Sequence, residues 1–312
     1  MTPTRAADAT SARGTLGRAV GAVLGFAVAV LFAVAVLSAV PAGAQAPTGD
    51  PARGEAVFNA AGCYGCHTDP VGLGAPLSGG RALKTPFGTF HSPNITPDGE
   101  TGIGRWTEAQ FAAAVRQGRM PTGESYFPAF PFVAYARMTD ADVRDLFAYL
   151  RAQPPVRKAN KPHDLSPPFG WRFLLPVWRT LYFDDDPLPP APGRPESWVR
   201  GRYLVEVLGH CGECHTPRTW LGGIDRSRAY QGVGGGGVHD GGAVPGITQN
   251  PRTGIGNWSD DDILFLLEYG MTASGGTLGG GMGEVVRHGT AKMSDADRRA
   301  IVAYLRSLPA AP

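Results

Sequence analysis

The stretch CYGCHT at Cys63–Thr68 returns as CGECHT at Cys211–Thr216, and the two hold every cysteine in the 312-residue chain. The repetition extends in both directions. Upstream, RGEAVFNAAGCYGCHT matches RGRYLVEVLGHCGECHT with one residue inserted in the second copy. Downstream, NITPDGETGIGRWTEAQF recurs as GITQNPRTGIGNWSDDDI, and ARMTDADVRDLFAYLRAQP recurs as AKMSDADRRAIVAYLRSLP. Ile95 with Ile247 and Trp106 with Trp258 keep the same offset of 152. One domain written twice accounts for this self-similarity.

The length fits two domains, at about 100 to 200 residues each. Glycine (44) and proline (28) are abundant, yet 6 Trp, 9 Tyr and 14 Phe suffice to fill a core. The composition is that of a loop-rich globular chain, not a disordered one.

At the N-terminus, Arg5, Arg13 and Arg18 precede an apolar run from Ala19 to Val40 and then PAGAQA. This order predicts a secretory signal over residues 1–44, with Ala42-Gly43-Ala44 as the small-residue cleavage motif. Uncleaved, the run is long enough to anchor the chain in a bilayer about 30 Å thick. Removing residues 1–44 takes away three arginines and one aspartate, which brings the net charge from +2 to 0. A neutral chain offers no basic footprint for nucleic acid.

Three helices are expected in each copy. The first starts near Pro51 or Ser197 and runs into the cysteines, with Ala56, Val57 and Ala60 at helical spacing. The second opens at Thr107 or Ser259 and the third at Thr139 or Ser294, hydroxyl residues followed by acids. Pro154 and Pro309 stop the third. The boundaries follow: residues 45–158 for the first domain, 159–196 for a linker, 197–312 for the second domain. The linker carries Trp171, Phe173, Trp178, Tyr182 and Phe183, which predicts that it packs across both domains.

Zinc would need four ligands at one site, whereas these pairs stand 148 residues apart. A thioredoxin-like redox pair would follow a strand in a βαβ unit, and no such pattern surrounds either copy. Two CxxCH motifs in register point instead to covalent c-type haem attachment, twice. Cys63, Cys66, Cys211 and Cys214 are then the thioether positions and His67 and His215 the proximal iron ligands. The fold class expected is all-α, two tandem cytochrome c domains of short helices around two covalent haems.

The sixth ligands are open from the residues alone. The first copy offers Met120 and Met138, with His91 as a further candidate; the second offers Met271, Met282 and Met293. Met138 and Met293 are repeat mates ahead of the last helix, where a core role is the commoner one. Met282 stands among glycines, whose flexible backbone could lie close to a porphyrin. His91, His163, His210, His239 and His288 read as solvated or loop residues, and Trp106 and Trp258 as core or haem-packing aromatics.

Longer stretches carry a resemblance. FGTFHSPNITPDGETGIGRW, YFPAFPF, PPVRKANKPHDL, GHCGECHTPR and GGGMGEVVRHGTAKMSDAD together resemble the cytochrome c subunits of membrane-bound alcohol and gluconate dehydrogenases and their two-haem relatives. The likeness runs from Gly49 to Pro309. It implies a subunit that takes electrons from a quinoprotein, flavoprotein or molybdenum dehydrogenase and passes them toward quinone or a terminal oxidase. It also implies Met282 as the sixth ligand in the second domain. In the first, Phe130 stands where those subunits often have methionine, which moves the assignment to Met138. A third CxxCH, present in those subunits, is missing here, so the partner is expected to differ from theirs.

The reading that results is a periplasmic dihaem electron carrier, exported and either free or held at the inner membrane. Its donor would be a dehydrogenase and its acceptor a quinone, cytochrome or oxidase. The rival is a dihaem enzyme, a peroxidase or sulfur-compound dehydrogenase, with an open or exchangeable haem position. No nucleophile with a nearby base, and no carboxylate pair, marks a separate catalytic site.

Overall fold

The computed structural model describes residues 48–234 and 243–311. The expected signal segment and His239 lie outside them. Among the described residues no helix is long and apolar enough to cross a membrane.

In the first copy, helix α1 (Pro51–Ala60) starts where the Asp50 carboxylate accepts the Ala52 N–H at 2.8 Å. Gly62, at φ 65°, turns the chain into the short helix α2 (Cys63–His67). A hairpin follows, β1 (Ala82–Thr85) and β2 (Gly88–His91). Helix α3 (Glu108–Gln117) opens on a capping box between Thr107 and Gln110 and closes at Gly118 in the left-handed region. One turn, α4 (Phe132–Tyr135), leads to α5 (Asp140–Arg151), capped by Thr139 on the Asp142 N–H. The connecting stretch contributes β3 (Asp164–Leu165) and α6 (Leu175–Tyr182).

The second copy repeats the plan. It contains α7 (Glu196–Tyr203), α8 (Gly212–His215), α9 (Asp260–Tyr269) with a Ser259–Asp262 capping box, α10 (Gly280–His288) and α11 (Asp295–Leu305) capped by Ser294. The residue inserted in this copy is absorbed in a π-turn, Leu204–Leu208, that continues α7: the Gly209 N–H reaches back to the Leu204 carbonyl at 2.7 Å.

The all-α expectation needs correction. The chain is mostly helical, but β1, β2 and β3 form an antiparallel sheet in which Ala82 pairs with His91 and Gly88 with Leu165. The hydroxyl of Thr85 shapes the hairpin turn, accepting the Phe87 N–H and donating to the Gly88 carbonyl. Phe90 packs with Phe127, Leu175, Leu83 and Leu165 in a small core of its own. Helix periodicity cannot register such a hairpin.

In each copy the first helix crosses the last at a glycine. A Cβ on Gly54 would collide with the Asp145 carbonyl of α5, and one on Gly201 with the Ala300 carbonyl of α11. Those crossings feed one continuous apolar core that takes residues from both copies, with Leu204, Val205 and Val207 wholly buried in it. The connecting stretch packs on both copies, as expected: Phe183 lies 5.6 Å from Phe132, and Trp178 Nε1 donates to the Leu221 carbonyl at 3.0 Å.

Asp145, 3% exposed, fastens the first crossing. It accepts Arg53 Nε at 2.7 Å and the Asp50 N–H at 2.7 Å. The Arg53 hydrogen bond, above all, holds its carboxyl below the ordinary 3.8. A carboxyl depressed in the folded state stabilises fully above its unfolded value and loses that contribution as pH falls through the folded value. Asp145→Asn should therefore lower the unfolding midpoint most at neutral pH, and its gap from wild type should close in acid below the ordinary 3.8. Urea unfolding at several pH values measures this; a gap that does not change with pH would contradict it.

Candidate functional site

Helix α2 places Cys63 and Cys66 three residues apart, on one face. In the second copy Cys211 caps α8 and Cys214 lies within it. All four thiols are unbridged. Burial pushes Cys63 and Cys211 up to about 12 and Cys214 up to about 11. A reactive redox pair has a lowered thiol pKa, so burial argues against disulfide chemistry here.

The histidines are held alike. His67 Nδ1 donates to the Pro93 carbonyl at 2.8 Å, and His215 Nδ1 donates to the Pro245 carbonyl at 2.8 Å. A carbonyl only accepts, which places the proton on Nδ1 and leaves Nε2 with a free lone pair, as metal-ligating imidazoles require. Each ring's backbone is pinned too, Gly79 N–H to the His67 carbonyl and Gly232 N–H to that of His215. The threonine after each motif accepts a loop N–H, from Leu77 at Thr68 and from Tyr230 at Thr216. Two free thiols and one oriented imidazole, built the same way twice, fit a thioether-linked haem in each copy.

The candidate sixth ligands differ in setting. Met138 is buried at 4% in the main core, and its N–H bonds the Tyr135 carbonyl. Met282 is half-buried in the first turn of α10, and Met293 packs half-buried against the core. Met120 and Met271 are half-buried loop positions, each near an isolated bridge. His91 ends β2; its N–H donates to His163 Nδ1 and its own Nδ1 is buried without a partner. Phe130 lies among Tyr126, Phe132 and Tyr135. Trp106 and Trp258 pack half-buried on the main core.

The two motifs are brought together, which local sequence patterns do not announce. Arg81 donates to the Gly65 carbonyl inside the first motif and pairs with Glu284 of α10. His288, at the end of α10, stacks on Tyr64 with ring centroids 4.3 Å apart. A charge on Cys66 would raise the Cys214 thiol further. Tyr135 and His210, both outside the expected site, meet edge to face at 5.4 Å between the motifs. Their signal is in the places where the repeat fails: Thr290 stands opposite Tyr135, and Gly62 opposite His210.

Residues 51–154 match the Cytochrome c family. Over 266 residues the chain is 45% identical to a "Diheme cytochrome c-type" protein of Cereibacter sphaeroides, covering 84% of this chain and 87% of that one. The chain belongs to the cytochrome c family. This cytochrome is also 39% identical to the cytochrome c subunit of the quinone-dependent alcohol dehydrogenase of Gluconacetobacter polyoxogenes, covering 86% of this chain and 58% of the subunit. The gluconate 2-dehydrogenase cytochrome c subunit of Pantoea cypripedii is likewise 39% identical, over 83% of this chain and 59% of its own length. The cytochrome thus spans little more than half of these dehydrogenase subunits. Covalently bound haem c and electron transfer come with the family.

Proposed function

We propose that this cytochrome is an exported dihaem carrier that moves electrons from a dehydrogenase toward a quinone or a terminal oxidase. The observation that carries the reading is the duplication of the complete site, CxxCH plus an Nδ1-anchored histidine, on one continuous core. Cys63, Cys66 and His67 hold one haem, and Cys211, Cys214 and His215 the other. Bound haem supplies one-electron chemistry at its iron. The chain's own part is to fix the imidazole tautomer through Pro93 and Pro245, exclude water, and close the far side of each site.

Met138 and Met282 are the residues proposed for that closure. Met138 already lies inside apolar packing, where a thioether in place of water raises the potential. Met282 is two residues from Glu284, so it leaves α10 on a different side from the contact with the first motif. The dehydrogenase donor is supported by the likeness to dehydrogenase subunits, and export by the segment over residues 1–44.

The near-infrared charge-transfer band of methionine-ligated ferric haem tests the carrier reading, calibrated per haem. Two haems' worth is expected in the oxidised protein, with Met138→Ala and Met282→Ala each removing about half. Retention of the band in Met282→Ala and its loss in Met293→Ala would reassign the ligand. One haem's worth or none in the wild type, with peroxide turnover, would replace the carrier by an enzyme.

A further inference from the structure

The two copies differ at three places, two just ahead of the second motif and one in the first copy, and all three converge. An extra residue creates the π-turn Leu204–Leu208. His210 then takes the left-handed backbone at φ 37°, where the first copy uses Gly62 at φ 65°. A non-glycine side chain in the left-handed region is strained, so something must hold it. The third departure is Tyr135 on α4, whose mate is Thr290.

Tyr135 links the two copies, bonding the backbone of one and packing on a ring of the other. The Tyr135 hydroxyl donates to the Ala61 carbonyl at 2.6 Å, two residues ahead of Cys63. The His210 ring, one residue ahead of Cys211, packs edge to face against the Tyr135 ring, with centroids 5.4 Å apart. Tyr135 is 6% exposed. It also lies within electrostatic reach of Cys63, Cys66 and Glu213, groups of both motifs. A two-ring clamp with one carbonyl thus ties the entry of the first CxxCH to that of the second. Core packing alone would not ask for it, because apolar side chains could fill the space without a strained backbone.

We infer that Tyr135 and His210 are a positioning pair that fixes the two redox sites against each other, so that electrons exchange directly within one chain. This rests on the two-haem reading above. The step balances simply: one electron leaves the reduced centre of one copy and is taken up by the oxidised centre of the other. No bond forms or breaks, and no proton need move. The second copy's strained histidine and the first copy's unmatched tyrosine then serve the coupling of the copies, not the folding of either.

The test uses the holo-protein, wild type, Tyr135→Phe, His210→Gly and the double variant. Glycine at position 210 restores the residue that the first copy has there, and so relieves strain while removing the ring. Covalent haem count, thermal midpoint and both midpoint potentials are measured first. Then the protein is reduced by one electron with a rapid photoreductant, and the redistribution between sites is followed at several protein concentrations. The wild type should equilibrate at a rate independent of concentration. The double variant should keep both haems and both potentials while that rate falls by about tenfold or more, as loss of positioning does. Two haems with an unchanged rate in the double variant would overturn the pair's role. So would a wild-type rate that scales with concentration. A wild-type haem count other than two would instead bring down the dihaem reading itself.

Discussion

Replacing Cys211 and Cys214 by serine should leave a chain with one covalent haem that accepts one electron, against the two haems and two electrons proposed for the wild type. Serine is only a little smaller than cysteine and adds no charge, and a hydroxyl forms no thioether. The chain's fold at His215 should survive the change, because Pro245 and Gly232 hold that residue through its ring and its carbonyl. The loss therefore reads out attachment, not collapse of the imidazole's position. Cys63→Ser with Cys66→Ser should give the mirror result, since His67 is held by Pro93 and Gly79 in the same way. Denatured haem stain and a reductive titration count the haems and the electrons separately. A serine pair that still retained both haems would refute the thioether assignment.

Gly201→Val should abolish the cooperative thermal transition or lower its midpoint steeply. A Cβ at this position would enter the Ala300 carbonyl and stand 3.0 Å from the Tyr304 Cβ, so α7 and α11 must separate. Overpacking of flexible side chains costs about 1–3 kcal/mol, and more when backbone is the obstacle. Domains hold only about 5–15 kcal/mol in total. Leu204, Val205, Val207 and Leu208, all buried, follow directly on α7, so their displacement would open the core shared by both copies. Gly54→Val at the α1–α5 crossing should act alike through the Asp145 carbonyl. Gly62→Ala is the contrast: nothing lies within 4 Å of a Cβ there, and only the positive φ is strained, at about 1–2 kcal/mol. Thermal scans should rank Gly201→Val below Gly62→Ala and Gly62→Ala below wild type.

Part of this fold and site is legible in the sequence because the signals are local. Thr107, Ser259, Thr139 and Ser294 announce helix starts since their hydroxyls reach only three residues ahead. CxxCH is readable for the same reason: two thioethers and an imidazole are set by spacing within five residues. The inserted residue before Cys211 is visible as an offset, but not that it becomes a π-turn, because that depends on what α7 packs against. Nonlocal arrangements are hidden. The pairing of β2 with residues 164–165 joins segments far apart in the chain, and the Arg81–Glu284 ion pair spans 203 residues. The merging of two expected domain cores into one rests on buried faces that look alike whether a domain stands alone or not. His210 passes for a loop histidine in the sequence, since its partner Tyr135 lies 75 residues away and only their mates, Gly62 and Thr290, betray them.

The intact mass of the purified protein under denaturing conditions, where only covalently attached groups remain, tests the two-haem assignment most directly. The mass should equal that of the processed chain plus two haems, with peptide mapping placing one on Cys63 and Cys66 and the other on Cys211 and Cys214. A mass matching the bare chain, or one haem alone, would contradict the claim that both copies are complete redox sites.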